Sequence, residues 1–280
     1  MSLKKSSNTI HYSAGDRVFL AADALILGLV FLLVLYPLLF VLSSSFSGGS
    51  EISSLSLIPD QFSLEGYKAA VEYDYFWGSY WNSAVYTAVG TLVAMVVTIL
   101  CAYPLSQQNF RAGKIAMGLC VFTMYFSGGL IPTYLWIRTL GLMNSPWAFL
   151  LPSALNIYNM IVMRTYFVSL PEDIREAAQI DGANYRQTLR KIIIPLVMPS
   201  ITICSFLSLT DCFKMYDQNL ALTGGAPGTQ TAMLAMDICN TYYNRIGFAG
   251  IGQAKAVVFT VLVFAIAMVQ LRATRSKEVE

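Results

Sequence analysis

Six polar side chains sit in or at the edge of long apolar runs: Tyr125, Asn156, Tyr158, Asn159, Asp211 and Lys214. Polar groups are costly in apolar surroundings and turn toward one another or toward a polar path. These six can hold a polar solute by hydrogen bonds, or they can bind one helix to another. Thr87, Thr91 and Thr98 share one stripe, and there packing is the simpler reading.

A second chemically distinctive stretch is Leu170–Pro199, LPEDIREAAQIDGANYRQTLRKIIIPLVMPS. Pro171, Glu172 and Asp173 suit a helix start, with acids at the positive end of the dipole. Ile174, Ala177, Ala178 and Ile180 make a small apolar face, and Gly182 breaks the helix. A second helix is predicted over Tyr185–Ile193, and Pro195 and Pro199 kink the start of the next apolar run. Two alanines form a thin ridge that can enter a groove, with Arg175 and Glu176 free to pair with charges at its rim. A solvated amphipathic loop on the lipid headgroups is the plainer alternative.

Other chemistries are excluded or unsupported. The single histidine, His11, rules out a histidine metal cluster. Cys101, Cys120, Cys204, Cys212 and Cys239 form no CxxC pair, and the first three lie in apolar runs, as buried small hydrophobes do. Gly113-Lys114 lacks the preceding glycine of a phosphate loop and is followed by Ile115. A net charge of +2 without a basic run does not suit nucleic acid.

The elements that must position these residues follow from composition. Hydrophobic residues make up 56% of 280 and charged ones 12%, against about 25% charged in a soluble domain. Mean hydropathy is +0.57. Six runs are long and apolar, and a spanning helix needs about 20 such residues. They predict spans at about 20–43, 83–104, 115–137, 145–168, 192–212 and 251–271, the last with Lys255 snorkelling to the interface. The runs do not alternate, so helices rather than a barrel are expected. The first run lacks a small-residue cleavage site and reads as an uncleaved span. Residues 1–280 then form one transmembrane domain, with segment 170–191 between spans four and five.

Thirteen Lys and Arg residues fall before span one, after span six, and in the loops after spans two and four. Five fall on the other side: Lys68, Arg138, Lys214, Arg245 and Lys255. The positive-inside rule places both termini in the cytoplasm. The outer loops are then Ser43–Asn82, with Glu51, Asp60, Glu65, Glu72 and Asp74, and Phe213–Gly252. Tyr73, Tyr75, Phe76, Trp77, Tyr80 and Trp81 crowd the end of the first loop, as an interfacial aromatic belt or a contact with an external partner.

Glu176-Ala177-Ala178, three residues, Gly182, nine residues, then Ile192-Ile193-Ile194-Pro195 resembles the fixed pattern of binding-protein-dependent ABC importer permeases. Ile194 stands where that family has Leu, a volume-conserving change. Phe126–Tyr134, Gly141-Leu142 and Leu222–Gly228 resemble the carbohydrate branch, especially permeases for complex oligosaccharides. Residues up to about 200 look like one of the two permease subunits of such importers and later residues more like the other, which leaves the pairing partner open.

The resemblance implies an all-α integral membrane fold of six transmembrane helices with a cytoplasmic coupling helix between spans 4 and 5, in a bacterial plasma (inner) membrane. It implies a second permease subunit, two ABC ATPase subunits that bind ATP and Mg, and an extracellular or periplasmic solute-binding protein that delivers the sugar. This chain would carry no cofactor and no catalytic residue. Arg175, Glu176, Ala177, Ala178, Asp181, Gly182 and Pro195 would couple it to the ATPases. The polar residues named first would then meet the sugar. The same architecture could carry another solute. A self-sufficient channel or secondary transporter would show membrane-centred charge pairs or an inverted repeat, and neither is visible in the sequence.

Overall fold

The computed structural model describes residues 13–47, 62–107 and 110–276. Lys4, Lys5, His11, Glu51, Asp60 and Lys277 lie outside the described residues. Every element described is helical, apart from an isolated bridge between Ser47 and Ser63.

The first helix, α1 (Ala14–Ser44), starts at a reciprocal cap. The Ser13 hydroxyl accepts from the Asp16 N–H at 3.3 Å, and the Asp16 carboxylate accepts from the Ser13 N–H at 2.9 Å. Helix α2 (Glu65–Glu72) is short, and α3 (Asp74–Ser106) is long. The last helix, α14 (Ala249–Arg275), packs against α1, α2 and α13 (Leu234–Tyr243). Stretches Gly15–Ser44, Tyr75–Ser106 and Ala249–Arg275 are each long and apolar enough to cross a membrane. At about 1.5 Å per residue, a helix of their length exceeds a hydrocarbon thickness of about 30 Å.

The other three apolar runs are divided. Residues 115–137 form α4 (Gly113–Tyr125) and α5 (Leu130–Thr139), bent by 117°. At the break the Ser127 hydroxyl accepts the Gly129 N–H at 3.1 Å, a local bond that competes with the helix ladder. Residues 145–168 form α6 (Trp147–Leu150) and α7 (Ile157–Ser169), separated by a stretch that contains Pro152. After α8 (Glu172–Ile180) and α9 (Tyr185–Thr188), a π-helical turn over Leu189–Ile193 leads into α10 (Ile194–Leu196). The predicted single helix over Tyr185–Ile193 is thus part α and part π. The Ile194 N–H reaches five residues back to the Leu189 carbonyl. Pro195 accounts for the change of pitch, because it has no N–H to give and its ring crowds the Lys191 carbonyl. Helix α11 (Met198–Phe213) then leaves at 72°, and α12 (Asp217–Leu222) comes after it.

Two apolar clusters hold these pieces together. One gathers Met95, Ala102, Met160, Met163, Phe167, Ile193, Val197 and Cys204 from α3, α7 and α9–α11. The other gathers Ile137, Phe149, Leu150, Cys212, Met215, Leu222 and Met233 around α5, α6 and α12. Much of the remaining apolar surface faces outward, including Leu27, Phe31, Leu92, Leu100 and Phe264. That is the pattern expected where lipid is the solvent.

Gly252 sets the approach of α13 to α14. A Cβ there would lie 2.9 Å from Tyr242 Cβ and 3.1 Å from Tyr242 backbone atoms. Backbone cannot swing aside, so Gly252→Ala is expected to destabilise the protein by about 1–3 kcal/mol. Thermal unfolding of the detergent-purified chain checks this. An unchanged midpoint would mean that the two helices part without cost.

Candidate functional site

Helix α8 ends in a glycine turn. Gly182 has φ +77, the Ala183 N–H donates to the Ala178 carbonyl at 2.9 Å, and the Asp181 N–H donates to the Ala177 carbonyl at 3.0 Å. The first of these bonds is the long closure of a Schellman turn, whose left-handed residue is cheap only for glycine. Asn184 and Gln187 then cap α9 reciprocally, each side-chain oxygen accepting the other's N–H at 2.9 Å.

The apolar residues of α8 do not share one face. Ala178 is buried and Ile174 half-buried, four residues apart on the side that packs inward. Asp173, Glu176, Ala177 and Ile180 are all exposed, Ile180 by 86%. They have the i, i+3, i+4, i+7 spacing of one outward stripe. Asp181 and Gly182 are exposed beside it. Arg175 lies in the helix, and its side chain is outside the described residues. The outward stripe therefore offers one carboxylate pair and two apolar residues to any partner.

A polar cavity of about 320 Å³ lies between the two apolar clusters, at the break between α6 and α7. Along α11 the order is plain: Cys204 belongs to one cluster, Ser208 and Asp211 line the cavity, and Cys212 belongs to the other. Ser153, Asn156 and Gln218 complete its polar wall. Asn156 caps α7, its Oδ1 accepting from the Tyr158 N–H at 2.9 Å and the Asn159 N–H at 3.3 Å. Its Nδ2 donates to Asp211 Oδ2 at 3.5 Å. The Ser153 hydroxyl, which donates to the Phe149 carbonyl, lies 3.4 Å from Gln218 Oε1. Behind the wall, Asn159 is buried and donates to the Ser208 hydroxyl at 3.1 Å. Its Oδ1 is buried with no hydrogen-bond partner. An orphaned acceptor costs about 1–3 kcal/mol, so a donor reaching it would be well rewarded.

The structure thus brings Asn156 and Asp211 to one cavity, with Asn159 joined through Ser208. Tyr125, Tyr158 and Lys214 do not line it. Tyr125 is 74% exposed at the end of α4, and Tyr158 projects from α7. Lys214 borders an apolar groove between α11 and α14. Ser153, Ser208 and Gln218 escaped the sequence reading. The signal for the two serines was the spacing of Ser153 from Asn156 and of Ser208 from Asp211, three residues apart in facing segments; Gln218 had none.

Lys255 corrects another expectation. Its ammonium does not extend to the protein surface but is 1% exposed, 2.7 Å from Asp237 Oδ2 and 3.0 Å from the Thr241 hydroxyl. It also lies 4.5 Å from the centroid of the Tyr73 ring. Helix α13 packs on α14 and carries the carboxylate to the lysine, and a buried ammonium needs such a partner. A buried ion pair that the sequence did not reveal thus joins α13 to α14. Tyr73 also stacks under the Arg245 guanidinium, 4.8 Å from its ring centroid, and its hydroxyl accepts a hydrogen bond from that group.

Comparison with known proteins places this arrangement. Residues 94–275 match the family described as the binding-protein-dependent transport system inner membrane component. The chain is similar to the polygalacturonan/rhamnogalacturonan transport system permease protein YtcP of Bacillus subtilis, 39% identical over 70% of this chain and 69% of that one. It is similar to protein LplC of the same organism, 35% identical over 69% of this chain and 66% of LplC. A crystal structure of a bacterial ABC transporter involved in import of the acidic polysaccharide alginate has a chain that superposes with TM-score 0.78 and 27% identity, covering 93% of this chain and 99% of that one. The family match takes in the latter part of α3 and α4 to α14, and with them the α8 turn, the polar cavity and the Lys255 pair: the chain belongs to the binding-protein-dependent transport system inner membrane components.

Proposed function

We propose that this chain forms half of the channel of an ATP-driven importer that moves an oligosaccharide into the cytoplasm. The observation that carries this reading is the polar cavity set between two apolar clusters. A permease needs a hydrogen-bonding path through a lipid-facing body, and sugars are dense in hydroxyls. Asp211, Asn156, Ser153 and Gln218 offer both donors and acceptors there. The similar proteins point the same way: YtcP is named for polygalacturonan/rhamnogalacturonan transport, and the superposed transporter is involved in alginate import.

In this reading the chain crosses six times, with both termini in the cytoplasm. Helices α1, α3 and α14 cross unbroken, and α4–α5, α6–α7 and α9–α11 cross as interrupted spans. Broken helices with polar groups at the break mark transport paths in other carriers. The α8 turn lies on the cytoplasmic side, and its outward stripe docks into a groove on one of two ATPase subunits, which bind ATP and Mg. A second permease subunit completes the channel, and an external binding protein delivers the sugar.

The test is uptake of labelled oligogalacturonides, alginate oligosaccharides and starch-derived oligosaccharides by cells or vesicles that carry the complete importer. Asp211→Ala removes an exposed carboxylate and leaves no buried charge behind. Losing a hydrogen bond to a charged group is worth about 1.5–3 kcal/mol. For whichever sugar is taken up, rates at limiting concentration should fall about tenfold or more, with unchanged protein in the membrane. Uptake equal to the parent would remove the cavity from the path.

A further inference from the structure

A second cavity, of about 920 Å³, opens where the end of α3, the start of α4 and the end of α7 meet. Three basic residues line it: Arg111, Lys114 and Arg164. Among the described residues, none of the three is ion-paired with a carboxylate. Arg164 is half-buried and held in place, its Nε donating to the Leu105 carbonyl at 2.8 Å. That bond uses one of five donors and leaves the fork of the guanidinium for something else. Arg111 and Lys114 are exposed at the rim.

The same cavity has an apolar wall that runs away from the charges. Lys114, Met117, Gly118 and Val121 occupy one face of α4, at the i, i+3, i+4, i+7 spacing. Val168 of α7 lines the cavity as well. At Gly118 a Cβ would meet nothing within 4 Å, so the face is open there. A basic mouth at helix ends, continuous with an apolar trough along a membrane helix, has the shape of a charged headgroup joined to a hydrocarbon chain.

We propose that this cavity binds an anionic phospholipid. The phosphate sits among Arg111, Lys114 and Arg164, and one acyl chain lies along the Met117–Gly118–Val121 face. Basic pockets between membrane helices recognise anionic headgroups through charge, at about 1 kcal/mol per Lys or Arg. A soluble phosphate would satisfy the charges and leave the trough unused, which is why the lipid is the better match. The inference requires the chain to lie in a bilayer. It does not depend on the transported solute or on which side is the cytoplasm.

The experiment is native mass spectrometry of the full chain, delipidated in mild detergent with whatever subunits it retains. It is titrated with phosphatidylglycerol and, separately, with phosphatidylcholine. The parent protein should prefer phosphatidylglycerol. Replacing both rim charges, Arg111→Gln with Lys114→Gln, should weaken phosphatidylglycerol about 25-fold, about fivefold for each charge removed. Phosphatidylcholine, whose phosphate is offset by its own choline, should weaken much less, and an unchanged thermal midpoint shows that the variant is folded. Gly118→Leu fills the trough without touching the charges and should weaken phosphatidylglycerol too. Excess inorganic phosphate should fail to displace the lipid. Full retention of phosphatidylglycerol selectivity in the double variant would overturn the proposal. So would displacement by inorganic phosphate together with normal lipid binding in Gly118→Leu, which would assign the cavity to a soluble anion.

Discussion

Ala177→Trp is expected to detach the ATPase subunits and stop ATP-driven uptake, while the chain stays folded in the membrane. Ala177 lies on the exposed stripe of α8, so a larger side chain there projects outward rather than into the body of the chain. A groove fitted to an alanine ridge would be overpacked, at a cost of about 1–3 kcal/mol. That corresponds to about 5- to 150-fold weaker docking. The neighbouring substitution, Ala178→Trp, serves as the contrast. Ala178 is 3% exposed and faces the body of the chain, so tryptophan there should lower the thermal midpoint of the chain itself. Co-purification of the ATPases and thermal unfolding, measured on both variants, separate the two effects. Glu176 contributes less, because an exposed rim pair is worth about 0–1 kcal/mol. If Ala177→Trp keeps its ATPases and its full uptake, α8 is an ordinary loop helix and the coupling role is wrong.

The difference between Ala177 and Ala178 also shows where sequence reading stops. Side-chain type and spacing predict a short helix, a glycine turn and a second helix, and the observed α8, Gly182 and α9 keep that order. Two adjacent alanines have the same hydrophobicity, however, so only tertiary contact decides which is buried. The long helices α1, α3 and α14 were legible because uninterrupted apolar runs leave a chain in lipid few alternatives. The interruption of the third run was legible too, since Gly128-Gly129 and Pro132 stand in its latter half and the break falls between Tyr125 and Leu130, while the break around Pro152 was not singled out. The size of that bend, 117°, was not legible, because a glycine pair permits a left-handed residue such as Gly129, at φ +80, without dictating where the chain turns next. Asn156 and Asp211 could be singled out as polar groups in apolar sequence. Ser153 and Ser208 had only their spacing from Asn156 and Asp211 to mark them, since a serine often bonds only nearby backbone, as Ser153 does to Phe149. The partners of Lys255 were hidden for another reason. Asp237 is 18 residues away, on a short helix whose docking against α14 is what creates the pair.

That pair carries the other large expected effect. Lys255→Met should destabilise the protein by about 3–5 kcal/mol, because it leaves the Asp237 carboxylate, 13% exposed, without its ammonium. Asp237→Leu should cost a similar amount. The stranded ammonium would keep the Thr241 hydroxyl and the face of the Tyr73 ring, neither of which carries a charge. The double variant, Lys255→Met with Asp237→Leu, removes both charges and both desolvation costs. Buried ion pairs replaced by apolar residues of similar size are often neutral or more stable by about 1–4 kcal/mol, so the double variant should recover much of the loss. Thermal unfolding of the four proteins measures the coupling directly as the failure of the two single effects to add. Additive losses would mean that the two side chains act independently and that their 2.7 Å contact contributes little. Uptake by the same four proteins asks a separate question of the pair. α13 and α14 meet around it, and α14 runs on to Arg275 and is long and apolar enough to cross a membrane, so a change of packing there is carried along that helix. A double variant that regains stability but not transport would show that the pair does more than hold two helices together: its charges would then be needed in a state of the transport cycle that apolar side chains cannot reproduce.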